Sequence, residues 1–258
     1  MPSFPQMRDL PPVLDATGWR WERYASPSCP SDGFWLGRDT NGNRWLTKLR
    51  GSFYAYREIV FDRLAQKMGW SCQSSAFLQL DALSANTLGI DGREIQDLHW
   101  FLDEHAPAAC SGDCPLDLLC GRSIDSVDDL PVSKFQHLLD WPKSDFAACL
   151  FGANDSPGLL ITSAHELVII DSEQMFLTGP VRLDGAAWWN MRDGSPSPSG
   201  RKLAREVCQD LCGLSAADIK DALSIPKGIS IDKNWPIAPK LKASRLFAAD
   251  FLRRTLQL

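Results

Sequence analysis

Four charged residues stand in an order that phosphoryl transfer can use: Lys48, Glu58, Asp155 and Asp171. Moving a phosphoryl group asks for a cation on the phosphates and a carboxylate that steadies that cation. It also asks for a carboxylate near the acceptor hydroxyl and another on Mg²⁺. Lys48 closes the strand-like run Trp45-Leu46-Thr47, and Glu58 falls in the first turns of a helical pattern. Asp155 sits in the loop Asn154-Asp155-Ser156-Pro157-Gly158, after an apolar helix. Asp171 ends the apolar run Leu167-Val168-Ile169-Ile170, sixteen residues further on.

Each of the four also has a plainer reading. Lys48 could be a solvated strand lysine, and Glu58 a helix-surface acid placed where the helix dipole favours it. Asn, Asp and Pro around Asp155 are favoured turn residues for local backbone reasons. Asp171 follows four apolar residues, where burial begins, and a buried carboxylate needs a partner; a metal ion or a capping role could each supply one. The four histidines (99, 105, 137 and 165) form no metal pair or triad. Of eight cysteines, Cys149, Cys208 and Cys212 lie among apolar neighbours and read as core. His105, Cys110, Cys114 and Cys120 share a polar stretch, but the two-residue gaps usual for paired zinc ligands are absent, so loop cysteines stand beside zinc as readings.

The elements that must position these groups follow from local pattern. Residues 1–30, rich in Pro and Ser, are expected as an arm or a leading strand. Phe34-Trp35-Leu36 and Trp45-Leu46-Thr47 flank Asp39-Thr40-Asn41-Gly42-Asn43, whose Asn-Gly chemistry predicts a hairpin. Tyr56, Val60, Leu64 and Met68 recur every four residues, predicting a helix from Ser52 to Met68 with Gly69 as its C-terminal cap. A strand at 76–80 and a hairpin-like turn at Asp91-Gly92 lead to another strand at 96–102. Helices are expected at 133–141 and 145–151, separated by Pro142, then two short buried strands, 159–161 and 167–170. Trp188-Trp189 is expected to anchor the chain beyond Asp171, ahead of a loop at 193–200. Helices follow at 201–212, 216–223 and 240–256, the second with a capping box formed by Ser215 and Asp218. Strands with one helix come first and mostly helices after. This order predicts an α+β protein with a sheet-rich N-lobe (31–105) and a helical C-lobe (106–258), with a ligand cleft between them.

Composition narrows the function classes. At 258 residues, 44% hydrophobic and 23% charged, the chain is that of an ordinary globular protein. A net charge of −5 argues against nucleic acid as the main partner. No run of about 18 apolar residues predicts a membrane span, and residues 1–8 do not read as a secretory signal. A cytoplasmic location is the expectation.

Taken together, these motifs resemble the HipA-like kinases, in particular their short bacterial members, and more distantly the phosphoinositide kinases. Arg44-Trp45-Leu46-Thr47-Lys48-Leu49 matches the family's strand with the nucleotide Lys. The run from Tyr56 to Trp70 is similar to its "Asn-Glu … Leu-Ala … Leu-Gly" helix, and Val168-Ile169-Ile170-Asp171-Ser172-Glu173 to its "Ile-Asp-His" strand end. Leu223-Ser224-Ile225-Pro226 and Phe251-Leu252-Arg253-Arg254 are similar to its tail. The resemblance spans from about Trp35 onward and implies a bilobal protein-kinase-like fold binding ATP and Mg²⁺. It implies that Lys48 holds the α- and β-phosphates, Glu58 fixes Lys48, Asp171 holds Mg²⁺, and Asp155 orients the acceptor hydroxyl, on a protein Ser or Thr. It further implies that the Gly33–Gly42 hairpin covers the phosphates and that adenine lies near 98–102.

The chain departs from the family at one loop. The family reads roughly "Asn-x-Asp-Arg-His-x-x-Asn"; here Ser156 replaces the Arg, and Leu159 or Leu160 stands where the metal-binding Asn belongs. Leucine cannot ligate Mg²⁺, a hard cation that takes oxygen. The alternative is therefore a pseudokinase, a nucleotide-binding regulatory or interaction module without turnover.

Overall fold

A computed structural model describes residues 12–23, 34–42, 44–48, 52–73, 75–89, 96–100, 126–155, 157–161, 167–170, 172–191, 193–195, 197–229, 231 and 236–255. The fold is α+β, with a six-stranded sheet, a separate two-stranded sheet and six α-helices among those residues.

The large sheet contains β1 (Val13–Asp15), β2 (Arg20–Arg23), β3 (Phe34–Arg38), β4 (Arg44–Lys48), β5 (Ser75–Gln79) and β6 (Gln96–Trp100), in the order β1-β5-β6-β4-β3-β2. Only β1–β5 is parallel; the other pairs are antiparallel. β1 and β2 lie within the segment expected as an arm or leading strand. The β3–β4 hairpin forms as the Asn-Gly pattern predicts, with Gly42 at φ +83° and its N–H donating to Asp39 O at 3.0 Å.

The pleat divides this sheet into two faces. On one face Trp45, Leu78 and Leu80 pack with Trp19, Trp21 and Trp35 over a short helix, α2 (Ala82–Leu88). Gly37 is required there, because a Cβ would stand 2.7 Å from Trp21 and 2.9 Å from Trp19. On the other face Ser75 and Phe77 meet α1 (Ser52–Lys67). Helix α2 was not anticipated from sequence. Asp81 caps it by accepting from Ser84 N at 2.6 Å, and Gly89 ends it at φ +73°. The connection from β5 to β6 thus contains a helix; Asp91 and Gly92 lie outside the described residues.

α1 is buried from Ala55 to Leu64 on nearly every side, Arg63 excepted, because it is packed between the sheet and the helical core. That core is built on α3 (Asp140–Phe151), α4 (Pro198–Gly213), α5 (Ala216–Ala222) and α6 (Ile237–Thr255). Phe61 meets Phe151 edge-on at 5.9 Å, and Phe151 meets Phe176 at 4.9 Å, joining α1, α3 and the turn after the second sheet. Each fully buried Phe contributes about 1.5–3 kcal/mol of transfer free energy. Trp188 packs edge-on to Trp141, and Trp189 to Phe146 and Phe251.

Three helix starts differ from expectation, that of α6 lying at Ile237 ahead of the expected Lys240. Residues 133–139 form turns with His137 at φ +60°, and a single helix begins at Asp140 and runs through Pro142. Pro142 lies in its first turn, where a backbone N–H would have no intrahelical partner, so the ring interrupts nothing. α4 starts at Pro198, ahead of the expected Arg201, because Ser197 Oγ accepts from Gly200 N at 2.9 Å. The Ser215–Asp218 capping box is present on α5. No helix among the described residues is long and apolar enough to cross a membrane.

Candidate functional site

Lys48 ends β4, where its backbone registers with Phe34 on one side and Asp97 on the other. Asp97 registers in turn with Phe77. Position 48 therefore belongs to the cross-strand row of Phe77, the row that faces α1.

On α1, Glu58 is fully buried, and its Oε1 accepts from Gln73 Nε2 at 2.6 Å. One turn later Asp62, also fully buried, accepts from Ser75 Oγ on β5 through Oδ2 and from Ser172 Oγ through Oδ1 at 3.0 Å. Two carboxylates spaced i, i+4 thus line one face of the helix.

The second sheet, β7 (Gly158–Ile161) with β8 (Leu167–Ile170), docks on the same region. Ile169 N donates to Ser71 O at 3.0 Å, and Gln73 N donates to Ile169 O at 2.9 Å. Ser71 N in turn donates to Asp140 Oδ2 at 2.8 Å. Gln73 therefore binds Glu58 with its side chain and the strand leading to position 171 with its backbone. Asp171 itself lies outside the described residues, as do His105, Cys110, Cys114 and Cys120. Among the described residues no group of three or more His, Cys, Asp or Glu is placed to hold a metal ion.

The electrostatics of this region are those of buried polar groups. Arg57, fully buried beside Glu58, has its guanidinium 4.6 Å from the Tyr54 ring, and burial pushes its pKa down to about 10. Burial, reinforced by the Asp62 and Asp140 carboxylates, holds the Cys72 thiol well above its usual range. Lys240 donates to Phe176 O at 2.6 Å and Leu177 O at 2.7 Å, and burial with nearby Arg57 lowers its pKa.

Asp155 stands apart from the buried carboxylates, exposed in the loop after α3. That loop is joined to the chain beyond β8. Phe176 N donates to Phe151 O at 2.9 Å, Thr178 N to Gly152 O at 2.8 Å, and Val181 N to Cys149 O at 2.8 Å. Phe176 adopts φ +61°, a left-handed geometry its amide bond and the Lys240 contact hold in place. Leu159 and Leu160 are strand residues, registered with Ile169 and Val168.

Sequence reasoning did not single out Asp62, Gln73 or Ser172. Asp62 carried a readable signal, since it repeats the face of Glu58 one turn on. Gln73 and Ser172 carried none, because their partners lie on other elements.

No protein-family model and no curated protein sequence matches this chain. Among solved structures it is similar to one described as the crystal structure of a Helicobacter pylori proinflammatory kinase, CtkA. The TM-score is 0.50 at 10% sequence identity, over 93% of this chain and 99% of that one. At that identity the likeness concerns architecture, and the architecture is kinase-like.

Proposed function

We propose that the chain is a HipA-like kinase domain that binds ATP with Mg²⁺ and phosphorylates a hydroxyl, that of a protein Ser or Thr. The observation that carries this reading is the pairing of β8 with Ser71 and Gln73 in the segment after α1, where the Gln73 side chain also binds Glu58. The kinase-like architecture and the sequence motifs around Lys48 and Asp171 support it.

In this reading Lys48 binds the α- and β-phosphates and Glu58 steadies Lys48, with Gln73 holding the carboxylate. Asp171 is the Mg²⁺ ligand, and Asp155 orients the acceptor hydroxyl. The donor set fits the metal in kind, since Mg²⁺ takes carboxylate oxygen. Bound Mg²⁺ would neutralise charge on the phosphates. An exposed Asp155 suits a group that must meet an incoming protein substrate.

A second reading, a pseudokinase serving as a nucleotide-binding regulatory module, is favoured by β7. Leu159 and Leu160 are already paired into the strand where the family carries its second metal ligand. This leaves only Ser156 and Pro157 between Asp155 and β7.

Thermal-shift titration with ATP, with and without Mg²⁺, tests both. Saturation to a hundredfold above Kd stabilises by about 2.7 kcal/mol. Metal-dependent stabilisation with transfer of labelled γ-phosphate, lost in K48A and D171A, supports the kinase. Stabilisation without transfer supports the pseudokinase. No response to ATP would overturn both.

A further inference from the structure

We infer that Asp62 is a positioning residue that locks the segment following β8 onto α1, and so sets the geometry of the metal-binding strand end; this rests on the nucleotide and metal reading above. Asp62, Ser75 and Ser172 are 0%, 3% and 1% exposed. The carboxylate takes one hydroxyl on each oxygen, Ser75 from β5 and Ser172 from the turn after β8. Cys72 Sγ adds a contact to Asp62 backbone O at 3.2 Å.

A carboxylate in a core is costly, and apolar packing of similar volume is often as stable. What the carboxylate adds is direction: two donors from separate elements must converge on one side chain. Ile169 is held from the other side by the backbone of Ser71 and Gln73. The chain is thus fixed at Ile169 and again at Ser172, immediately before and after the residues that include position 171. Groups that hold a ligand's carrier in this way commonly tune metal affinity without touching the metal.

The two serines separate positioning from mere stability. S172A deletes the bond to the β8 segment and leaves Ser75 on Asp62; S75A does the reverse. In the full chain, S172A should raise the Mg²⁺ concentration for half-maximal ATP binding about tenfold. Metal-free ATP affinity should stay within about twofold in S172A, and S75A should leave the Mg²⁺ dependence within about twofold. Hydrogen exchange provides a readout independent of nucleotide. Amides in 167–176 should exchange about fivefold faster in S172A, with no matching change in α4 or α6. Equal Mg²⁺ dependence in S172A and S75A would overturn the proposal, as would unchanged exchange at 167–176. If the parent chain binds no ATP, the nucleotide reading fails by itself, and exchange alone then decides the lock.

Discussion

Replacing Gly152 by alanine tests the join between the loop carrying Asp155 and the chain beyond β8. Gly152 lies at φ 64°, ψ 52°. A Cβ there would stand 2.5 Å from both Thr178 O and Gly179 O, and 2.6 Å from the Thr178 carbonyl carbon. Left-handed backbone costs a residue with a Cβ about 1–2 kcal/mol. The clash is with main chain, which cannot rotate away, so residues 178–179 must retreat at a further cost of about 1–3 kcal/mol, as in an overpacked core. That retreat strains the Thr178 N and Oγ1 bonds to Gly152 O, which are 2.8 and 3.0 Å long. Lower freedom of alanine in the unfolded chain offsets about 0.4–1 kcal/mol. The net loss is about 2–4 kcal/mol, or about 4–16 °C in Tm for a chain of this size. Urea unfolding should show a lower midpoint at unchanged slope, with calorimetry giving the Tm. G179A is the control, since nothing lies within 4 Å of its Cβ, and it should cost less than about 0.5 kcal/mol. A G152A protein that melts within about 2 °C of the parent would refute the reasoning, as would a G179A protein equally impaired.

Thiol reactivity and acid stability yield two more expectations. Burial pushes the Cys208 thiol up to about 12 and Cys149 up to about 11. Iodoacetamide at about pH 8 should therefore leave both unlabelled in the native protein and label both in urea. Rapid native labelling of either peptide would contradict these raised thiols. Asp15, Asp81, Asp193 and Asp218 are held below the ordinary 3.8 by hydrogen bonds from Thr17, Ser84, Ser195 and Ser215. Their stabilisation is fully present above 3.8 and is lost as pH falls through the lower folded values. Asp140, raised by burial, acts with the opposite sign. Tm should drop below about pH 4, less steeply in S215A than in the parent; an identical acid profile for S215A would count against the Asp218 contribution.

Local patterns in the sequence were enough for elements whose signals are local. The β3–β4 hairpin followed from Asn41-Gly42 between alternating apolar runs, α1 from the four-residue repeat of Tyr56, Val60 and Leu64, and the α5 cap from Ser215 and Asp218. α2 was missed although Asp81 and Gly89 bracket it, because Ser84, Asn86 and Thr87 are weak helix formers and the stretch is short. The start of α3 differs from expectation because Pro142, a breaker in a helix interior, breaks nothing in a first turn. The elements carrying Lys48 and Glu58 were legible for the same local reasons. The contacts that organise the site were not: Ser172 reaches Asp62 and Gln73 reaches Glu58 across separate elements, and no periodicity encodes such pairings.

The edge position of β1 has a consequence for biosynthesis. It precedes every other described strand, yet its parallel partner is β5, with Val13 beside Phe77. At about 5–20 residues per second, β5 emerges from the ribosome on the order of seconds after β1. The β3–β4 hairpin, joined by a short turn, can close in the interval, while the parallel pairing must wait for a distant partner. A nascent chain stalled between β4 and β5 would present an unpaired apolar strand, Val13-Leu14, to its neighbours. The sheet is thus completed last at its centre, by β6, which is made after both of its neighbours, β4 and β5.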